Sequence, residues 1–480
     1  MKRSDVISAV REYMLAHRAE MVRDLKRLVR IPSIRSEARD GAPFGRECAR
    51  ALLEAIALFR ENGFAASASP SNAYGIATYG EGEPTVALFG HTDVVPVGDD
   101  WMLTAPFDPI ELDGYLIGRG VEDNKAGVVI SLYVMRAFRD LSLPLNGRLL
   151  AFLGSAEETG MEDIEAFVRE HPMPRVSIVP DNAYPISFGE KGICQIRVRA
   201  ERPFSSVVSL TGGTAFNVIL DRATVGLCST EALKKELKSK IGGSSALSLV
   251  EQEDTLLLTA VGLTAHAATP DGSVNAALLL AECLAETEAL DGGDRAIFAS
   301  LRALLSSIHG EALGIACSDP RFGAVSSANG IVGLDGAHLS FTLDIRYGTA
   351  LDSDEMYRSV ERALEAHGFR IACCTENKKP FAVSADSSAA RALLGVYREV
   401  SGELDAEPFY SSGGTYARYL ENAFSVGCAV PYISGNKKLP EGHGGAHQSD
   451  EYIYIDSLVE SAAMITLMVD AAFREPKGKA

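Results

Sequence analysis

Three apolar runs of the sequence end in side chains that commonly bind metal ions or move protons. The runs and the groups that follow them are TVALF (85–89) with His91 and Asp93, LLAFL (149–153) with Glu157 and Glu158, and VSIVP (176–180) with Asp181. In open α/β sheets, ligands bind beyond the carboxyl ends of the strands, so parallel neighbours would bring these groups into one crevice. Carboxylates and imidazoles suit zinc, manganese or cobalt better than a metal that prefers thiolates. The sequence therefore predicts a metal site at this sheet edge.

The adjacent carboxylates of Glu157 and Glu158 indicate two different roles. Placing both in a crevice is costly unless a cation compensates their repulsion. Consecutive residues that leave a strand point in different directions, so one can bind metal while the other serves as general base. The alternative is a solvated acidic turn, which the fully apolar run before the pair disfavours.

Two loop residues become candidates only in combination with these groups. Asp123 lies in LIGRGVEDNKAG (116–127), a loop that enters a predicted helix, where an aspartate is more often a cap. His447 lies in the glycine-rich loop GHGGAHQSDEY (442–452), and a single loop histidine is more often a plain surface residue. Glycine permits close backbone approach, so this loop can bring its histidine to a crevice.

The pattern of apolar runs predicts a catalytic α/β domain interrupted by an insert. Short buried strands alternate with helical segments in residues 1–185 and again in 380–480, which is typical of a mixed, mostly parallel sheet flanked by helices. Residues 186–379 contain alternating strands and amphipathic helices, an α+β pattern that we interpret as a large inserted lid domain of two α+β subdomains. At 480 residues, the chain is long enough for more than one core.

Composition excludes several classes of function. The net charge of −18 argues against nucleic-acid binding, which needs a basic surface. No run approaches the roughly 18 apolar residues of a membrane span. The N-terminal 29 residues read as a charged amphipathic helix, not as a signal peptide. The eight cysteines form no C-x-x-C pair, which favours reduced thiols and a cytoplasmic location.

Taken together, the motifs resemble the M20 family of co-catalytic metallopeptidases, and most closely its PepV-like dipeptidases. The matching segments, in the order of the family, include FGHTDVVPVGDDW, PFDPIELDGYLIGRGVEDNKAG, GSAEETGMEDIE, ISFGEKG, TAHAATPDGSVNA, DIRYG, SSGGTYAR and AHQSDEYI. The resemblance implies a catalytic domain like that of zinc aminopeptidases, carrying an inserted lid. Two segments depart from the common pattern, since Asp-Asn-Lys-Ala replaces a second acidic residue followed by glycine, and Ser-Ala-Glu-Glu replaces Asp-Glu-Glu.

The resemblance implies a site with two divalent metal ions, zinc first, with manganese or cobalt as alternatives. The five implied metal ligands are His91 and Asp181 for one ion, Glu158 and His447 for the other, and Asp123 as the bridge, followed by a cis peptide bond. Asp93 would orient the imidazole of His91. Glu157 would be the general base that activates a water held between the ions and then protonates the leaving amine.

The insert supplies further groups by the same resemblance. His266 and Asn217 correspond to lid residues that stabilise the oxyanion, each worth on the order of 3 kcal/mol. Arg346 corresponds to an arginine that binds the terminal carboxylate of the substrate, together with the loop residues Gly413, Gly414 and Thr415. From spacing alone, these residues could equally be a structural histidine, an exposed strand arginine and a polar turn.

The length of the insert bears on activity and assembly. About 190 residues is near twice the size of a single small α+β module. Relatives with short lids complete their sites across a dimer, so we expect a catalytically self-sufficient monomer that hydrolyses dipeptides with a free carboxylate. The alternatives are a carboxypeptidase or N-acyl amino acid deacylase of the same superfamily, and a metal-stabilised binding protein without catalysis. Glu157, which a purely structural site would not need, argues against the last of these.

Overall fold

The computed structural model describes residues 2–474, which fold into two compact units. The first unit consists of the segments 2–189 and 382–474, and the second is the intervening segment 190–381. The insert predicted at 186–379 begins and ends a few residues before this second unit does. The chain therefore leaves the first unit once and returns to it once.

The described residues contain eleven helices and twenty-three strands. The helices are α1 (Arg3–Ala16), α2 (Arg18–Val29), α3 (Arg46–Glu61), α4 (Lys125–Asp140), α5 (Glu162–Glu170), α6 (Glu231–Ile241), α7 (Ala276–Ala285), α8 (Gly292–Leu305), α9 (Ser353–Ala366), α10 (Ser388–Ser401) and α11 (Ile455–Arg474). The strands are β1 (Ala65–Ala68), β2 (Gly75–Gly80), β3 (Thr85–His91), β4 (Ile110–Leu112), β5 (Tyr115–Ile117), β6 (Arg148–Gly154), β7 (Val176–Pro180), β8 (Ser187–Glu190), β9 (Gly192–Pro203), β10 (Val207–Gly212), β11 (Arg222–Cys228), β12 (Leu247–Gln252), β13 (Thr255–Val261), β14 (Ser318–Asp319), β15 (Gly323–Ala324), β16 (Ser326–Ala328), β17 (Val332–Asp335), β18 (His338–Tyr347), β19 (Phe369–Lys378), β20 (Phe381–Ala382), β21 (Phe409–Ser411), β22 (Ala423–Val426) and β23 (Tyr452–Tyr454).

The main sheet of the first unit has parallel strands at its centre and antiparallel strands at its edges. Its order is β1-β2-β6-β3-β7-β22-β8-β20, with β21 paired to β8. The pairs β6/β3, β3/β7 and β7/β22 are parallel, whereas β1/β2, β2/β6 and β22/β8 are antiparallel. The predicted α/β class with a mixed sheet is confirmed, and parallel pairing is confined to the strands that are buried on both faces.

Two helices of the first unit are buried along almost their whole length. In α4 the buried positions run without interruption from Lys125 to Phe138, and α11 is buried from Ser457 to Phe473 except at Glu460. A helix that is apolar on all sides belongs inside a protein, because no face of it gains from contact with water. Both helices belong to one hydrophobic core with the central strands. The loop before α4 is thereby fixed against the sheet.

A small second sheet of the first unit joins two loops that are distant in sequence. Its order is β23-β5-β4, and Tyr452 pairs with Ile117 in an antiparallel register. Strand β5 precedes the loop that contains Asp123, and β23 follows the loop that contains His447. This pairing brings the two loops to the same place.

The second unit contains one continuous nine-stranded sheet. Its order is β12-β13-β11-β10-β17-β18-β9-β19, with β16 paired to β18, and the pairs with a defined register are antiparallel. Both halves of the insert, which the sequence predicts as two subdomains, share this sheet because β10 pairs with β17. Helices α7, α8 and α9 contribute to a single core with its strands. Antiparallel pairing of this kind agrees with the predicted α+β character.

Candidate metal centre

Three neighbouring parallel strands bring candidate ligands to one edge of the first unit's sheet. Strand β3 lies between β6 and β7, and its last residue, His91, is in register with Gly154, the last residue of β6. Glu157 begins a single 3-10 turn just beyond β6, and Asp181 follows the end of β7. The parallel register therefore gathers groups that are up to 90 residues apart in the chain.

The carboxylate of Asp123 lies between two imidazoles. Its Oδ1 is 3.2 Å from His91 Nε2, and its Oδ2 is 3.0 Å from His447 Nε2. Each imidazole nitrogen has a second carboxylate nearby, with Asp181 Oδ2 at 3.6 Å from His91 Nε2 and Glu158 Oε2 at 3.1 Å from His447 Nε2. The five residues predicted as ligands therefore form one cluster, arranged as two groups that share Asp123.

The chemistry of this cluster fits divalent cations. Within the described part of the chain, the buried His91 Nε2 has no hydrogen-bond partner, although two carboxylates face it. Burial, reinforced by the charge of Asp123, raises the pKa of Glu158 to about 7 and that of Asp181 to about 6. Both shifts have the same sign, because burial and a neighbouring carboxylate each disfavour the ionised form. A divalent ion would remove this penalty, and mixed carboxylate and imidazole donors are typical ligands of zinc, manganese and cobalt.

The carboxylate of Glu157 lies in the same cluster. Its Oε1 is buried and has no hydrogen-bond partner among the described residues, and the carboxylate lies in a group with His91 and Asp181 that could hold an ion. Distance alone therefore does not separate a base from a ligand at this position. Burial, followed by the charge of Asp181, raises the pKa of Glu157 well above its ordinary value. A buried carboxylate of this kind can accept and release a proton, as a general base must.

Asp93 fixes both the imidazole and the turn with the two glutamates. His91 Nδ1 donates to the backbone carbonyl of Asp93 at 3.1 Å and lies 3.4 Å from its carboxylate Oδ1. This contact places the ring proton on Nδ1 and leaves Nε2 available as a ligand atom. The two carboxylate oxygens of Asp93 accept hydrogen bonds from the N–H groups of Glu157 and Glu158, at 3.2 and 3.1 Å. The resemblance implies the first role, and the structure adds the second.

The residues predicted for the lid lie close together within the second unit. The carbonyl of Asn217 accepts from the N–H of Ala267, next to His266, whose Nδ1 accepts from the N–H of Ala268 at 3.2 Å. That bond puts the ring proton of His266 on Nε2. Burial, followed by the charge of Arg346, lowers the pKa of His266, so the ring is a neutral donor.

Arg346 is paired within its own strand. Its Nε and Nη2 donate to the two carboxylate oxygens of Asp344 at 2.5 and 2.9 Å, and both side chains are buried on β18. This bidentate pair holds the guanidinium in one orientation. The predicted loop residues Gly413, Gly414 and Thr415 belong instead to the first unit, where Thr415 Oγ1 caps the turn at Ala417.

Sequence comparison decides the family. A family model described as Peptidase family M20/M25/M40 matches residues 87–471, which is most of the chain. The chain belongs to this peptidase family. It is accordingly a hydrolase that acts on peptide bonds, and members of the family use divalent metal ions. The resemblance read from the motifs is thereby confirmed at the level of the family.

Relatives extend the match over nearly the whole chain. The "Putative dipeptidase YtjP" of Bacillus subtilis is 29% identical over 466 residues, covering 94% of this chain and 96% of that protein. The solved structure of the di-peptidase Dug1p from Saccharomyces cerevisiae matches with a TM-score of 0.60 at 13% identity, covering 98% and 99% of the two chains. The M20 family metallo-carboxypeptidase Sso-CP2 from Sulfolobus solfataricus matches with a TM-score of 0.57 at 16% identity, and the match covers 95% of this chain and 99% of that one. Both structures share the fold, and the fold alone does not separate their activities. Among residues 2–474, no helix of this peptidase is long and apolar enough to span a membrane.

Asn124, next to Asp123 in this peptidase, ties two strand ends together. The peptide bond between Asp123 and Asn124 is cis, as the resemblance implies. The amide Nδ2 of Asn124 donates to the carbonyl of Pro180 at the end of β7, and its Oδ1 accepts from the N–H of His91 at 3.3 Å. A carboxylate at this position could accept but not donate. The structure thus explains the asparagine that departs from the common family pattern.

A buried ion pair that spacing alone did not reveal joins the loops of Asp123 and His447. Glu451 accepts from the N–H groups of Gly120 and Asp123 at 3.0 and 3.1 Å, and from Arg119 Nη1 at 2.7 Å. Arg119 Nη2 also donates to the carbonyl of His447 at 3.1 Å. The only sequence signal was the spacing of Glu451 from His447, four residues earlier.

Asp163 is a second buried anchor that sequence reasoning missed. Its Oδ2 accepts from the N–H groups of Ser155 and Ala156 at 2.7 and 2.9 Å, and from the hydroxyl of Tyr416. These contacts hold the end of β6 just before Glu157. Gly154 is required there, because an added Cβ would collide with the Tyr416 hydroxyl.

We expect Tyr416→Phe to lower the free energy of unfolding by about 1.5–3 kcal/mol, because a buried carboxylate loses a hydrogen-bond donor. Urea unfolding followed by circular dichroism measures this loss. We also expect a several-fold fall in kcat with little change in KM, since the turn before Glu157 loosens. Tyr419→Phe, which removes a neighbouring hydroxyl bonded to Glu165, is the matched control. Equal effects of both substitutions on kcat would contradict a positioning role for Tyr416.

Proposed function

We propose that this peptidase is a dipeptidase that uses two divalent metal ions, zinc first, with manganese or cobalt as alternatives. The observation that carries the proposal is the position of the Asp123 carboxylate, with one oxygen facing His91 and the other facing His447. His91, Asp181 and Asp123 would hold one ion. His447, Glu158 and Asp123 would hold the other.

The catalytic steps follow from the chain's own groups. Bound ions would polarise the peptide carbonyl and lower the pKa of a water molecule. Glu157 takes a proton from the attacking water and returns it to the nitrogen of the leaving amine, so the base is restored after each turnover. Its raised pKa and its lack of a hydrogen-bond partner support this assignment. Asp93 keeps His91 in the tautomer that leaves Nε2 available.

We assign the oxyanion and carboxylate contacts to the residues that the resemblance implies. His266, with Asn217, stabilises the negative charge that develops on the carbonyl oxygen. A neutral imidazole with its proton on Nε2 is the form that this role requires. Arg346, with the backbone of Gly413, Gly414 and Thr415, binds the free carboxylate of the substrate. The ion pair with Asp344 supports this by fixing the guanidinium plane.

The names of the sequence relatives favour a dipeptidase over a carboxypeptidase or an N-acyl amino acid deacylase. The sequence relatives, such as the "Putative dipeptidase YtjP", are named as dipeptidases, and this chain matches them over almost their full length. The insert, residues 190–381, is about twice the size of a single small α+β module. From this length we also propose that one chain contains a complete active site. Eight free cysteines in the described residues support a reducing, cytoplasmic location as a further proposal.

The experiment that tests the function is a substrate screen on protein loaded with zinc, manganese or cobalt. We expect hydrolysis of free dipeptides, little hydrolysis of N-acetyl amino acids, and two metal ions per chain by elemental analysis. Chelation should abolish turnover, and added metal should restore it. Faster hydrolysis of N-acetyl amino acids would favour the deacylase, and no turnover with any metal would favour a binding protein. Loss of activity on dilution to a strict monomer would contradict the self-sufficient site.

A further inference from the structure

Glu122 carries a carboxylate next to the candidate metal centre, and the proposed mechanism does not use this carboxylate. It precedes Asp123, and its backbone N–H donates to Glu451 at 2.9 Å. Within residues 2–474 its carboxylate forms no hydrogen bond or ion pair. The side chain is only partly exposed. Burying a carboxylate without a partner is costly, so this position favours a cation brought by a ligand.

Two cavities of the first unit share Glu122 as a wall. One has a volume of about 120 Å³ and contains two of the candidate metal ligands, Asp123 and Asp181, in its lining. The other has a volume of about 310 Å³ and is lined by aromatic rings, including those of Tyr115 and Tyr452. Glu122 therefore lies at the boundary between the candidate metal centre and an aromatic cavity.

The carboxylate of Glu122 has different neighbours in the two cavities. Cys428 lines the smaller cavity and Tyr452 the larger one. A cation that enters either cavity would therefore lie beside this carboxylate.

We propose that Glu122 binds the N-terminal ammonium group of the peptide substrate and thereby selects free peptides over N-acylated ones. In a dipeptide the ammonium nitrogen is about 2.5 Å from the carbonyl carbon that is attacked. Glu122 lines the same cavity as Asp123 and Asp181, so its carboxylate can reach an ammonium group held there. Tyrosine faces also attract ammonium groups. The proposal rests on the dipeptidase function proposed above.

Glu122→Gln tests this by removing the charge while keeping the size of the side chain. The substrates are Ala-Ala and N-propionyl-alanine, which differ only by the ammonium group. We expect the wild-type protein to prefer Ala-Ala by at least about 10-fold in kcat/KM. We expect the variant to lose about 10- to 100-fold on Ala-Ala and less than about 3-fold on N-propionyl-alanine, because a hydrogen bond to a charged group is lost for only one substrate.

Two controls make the result decisive. Metal content should stay at the wild-type level in Glu122→Gln, and a fall would overturn the proposal in favour of a metal-binding role. Glu81→Gln, which removes an exposed charge of the same unit, should leave both substrates unchanged. An equal loss on both substrates, or a wild-type preference near one, would also overturn it.

Failure of the inference is distinguishable from failure of the proposed function. If the wild-type protein cleaves Ala-Ala and the variant matches it, only the role of Glu122 is wrong. If the wild-type protein cleaves neither compound with any of the three metals, the dipeptidase function is wrong and the role of Glu122 falls with it.

Discussion

Glu157→Gln should lower kcat for dipeptide hydrolysis by about 100- to 10,000-fold, the contribution expected of a positioned general base. Glutamine keeps the size of the side chain but cannot accept a proton from water. The substitution should change KM little, because Glu157 is not assigned to binding the substrate. Steady-state kinetics with Ala-Ala on metal-loaded protein measures both constants.

The metal content of this variant separates the two roles open to Glu157. Its carboxylate lies in a group with His91 and Asp181 that could hold an ion. If Glu157 is the base, elemental analysis will find as many ions in Glu157→Gln as in the wild-type protein. If it is a ligand, the variant will bind fewer ions, and the base must be sought elsewhere. The matched control is Glu162→Gln, which should behave as wild type. Glu162 is an exposed glutamate at the start of the following helix, α5, where it pairs with Arg35.

The grouping of the candidate ligands could be predicted from sequence because it depends on strand periodicity. His91, Glu158 and Asp181 each follow a continuous apolar run, and such runs pair in parallel inside an α/β sheet. The loop residues Asp123 and His447 were different. Their spacing carried little information, and the family resemblance identified them. The structure shows the physical reason for their meeting, which is the pairing of β23 with β5.

The supporting contacts could not be predicted because each joins residues far apart in sequence. Glu451 reaches Arg119 across 332 positions, and Tyr416 reaches Asp163 across 253. A buried aspartate and an exposed one look the same in a sequence. Local geometry also escaped prediction, since the single amphipathic helix expected in the N-terminal 29 residues is divided at His17, whose side chain bonds back to the carbonyl of Tyr13. A side chain that caps a backbone carbonyl in this way does not change the spacing of apolar residues, so the sequence pattern does not reveal it.

Asp123→Asn should lower the number of bound metal ions more than a substitution at any other candidate ligand. The amide loses the charge that faces both imidazoles, whereas Asp181→Asn affects only the group around His91. Substitution of a residue that only orients a metal ligand typically lowers metal affinity by about 10- to 100-fold. Loss of a ligand that two ions share should therefore lower the metal affinity of each site by at least about 100-fold. Elemental analysis after dialysis should find two ions in the wild-type protein, about one in Asp181→Asn, and less than one in Asp123→Asn.

The comparison between these variants tests the bridge itself. If Asp123 belonged to one ion only, Asp123→Asn and Asp181→Asn would retain the same number of ions, and the shared carboxylate would be wrong. Glu158→Gln supplies the third arm, since the Glu158 carboxylate lies 3.1 Å from His447 Nε2 and is assigned to that ion alone, so this variant should also retain about one ion. Titration with excess zinc should restore part of the activity in the two single-group variants at lower metal concentrations than in Asp123→Asn. That order follows directly from a carboxylate with one oxygen facing each imidazole.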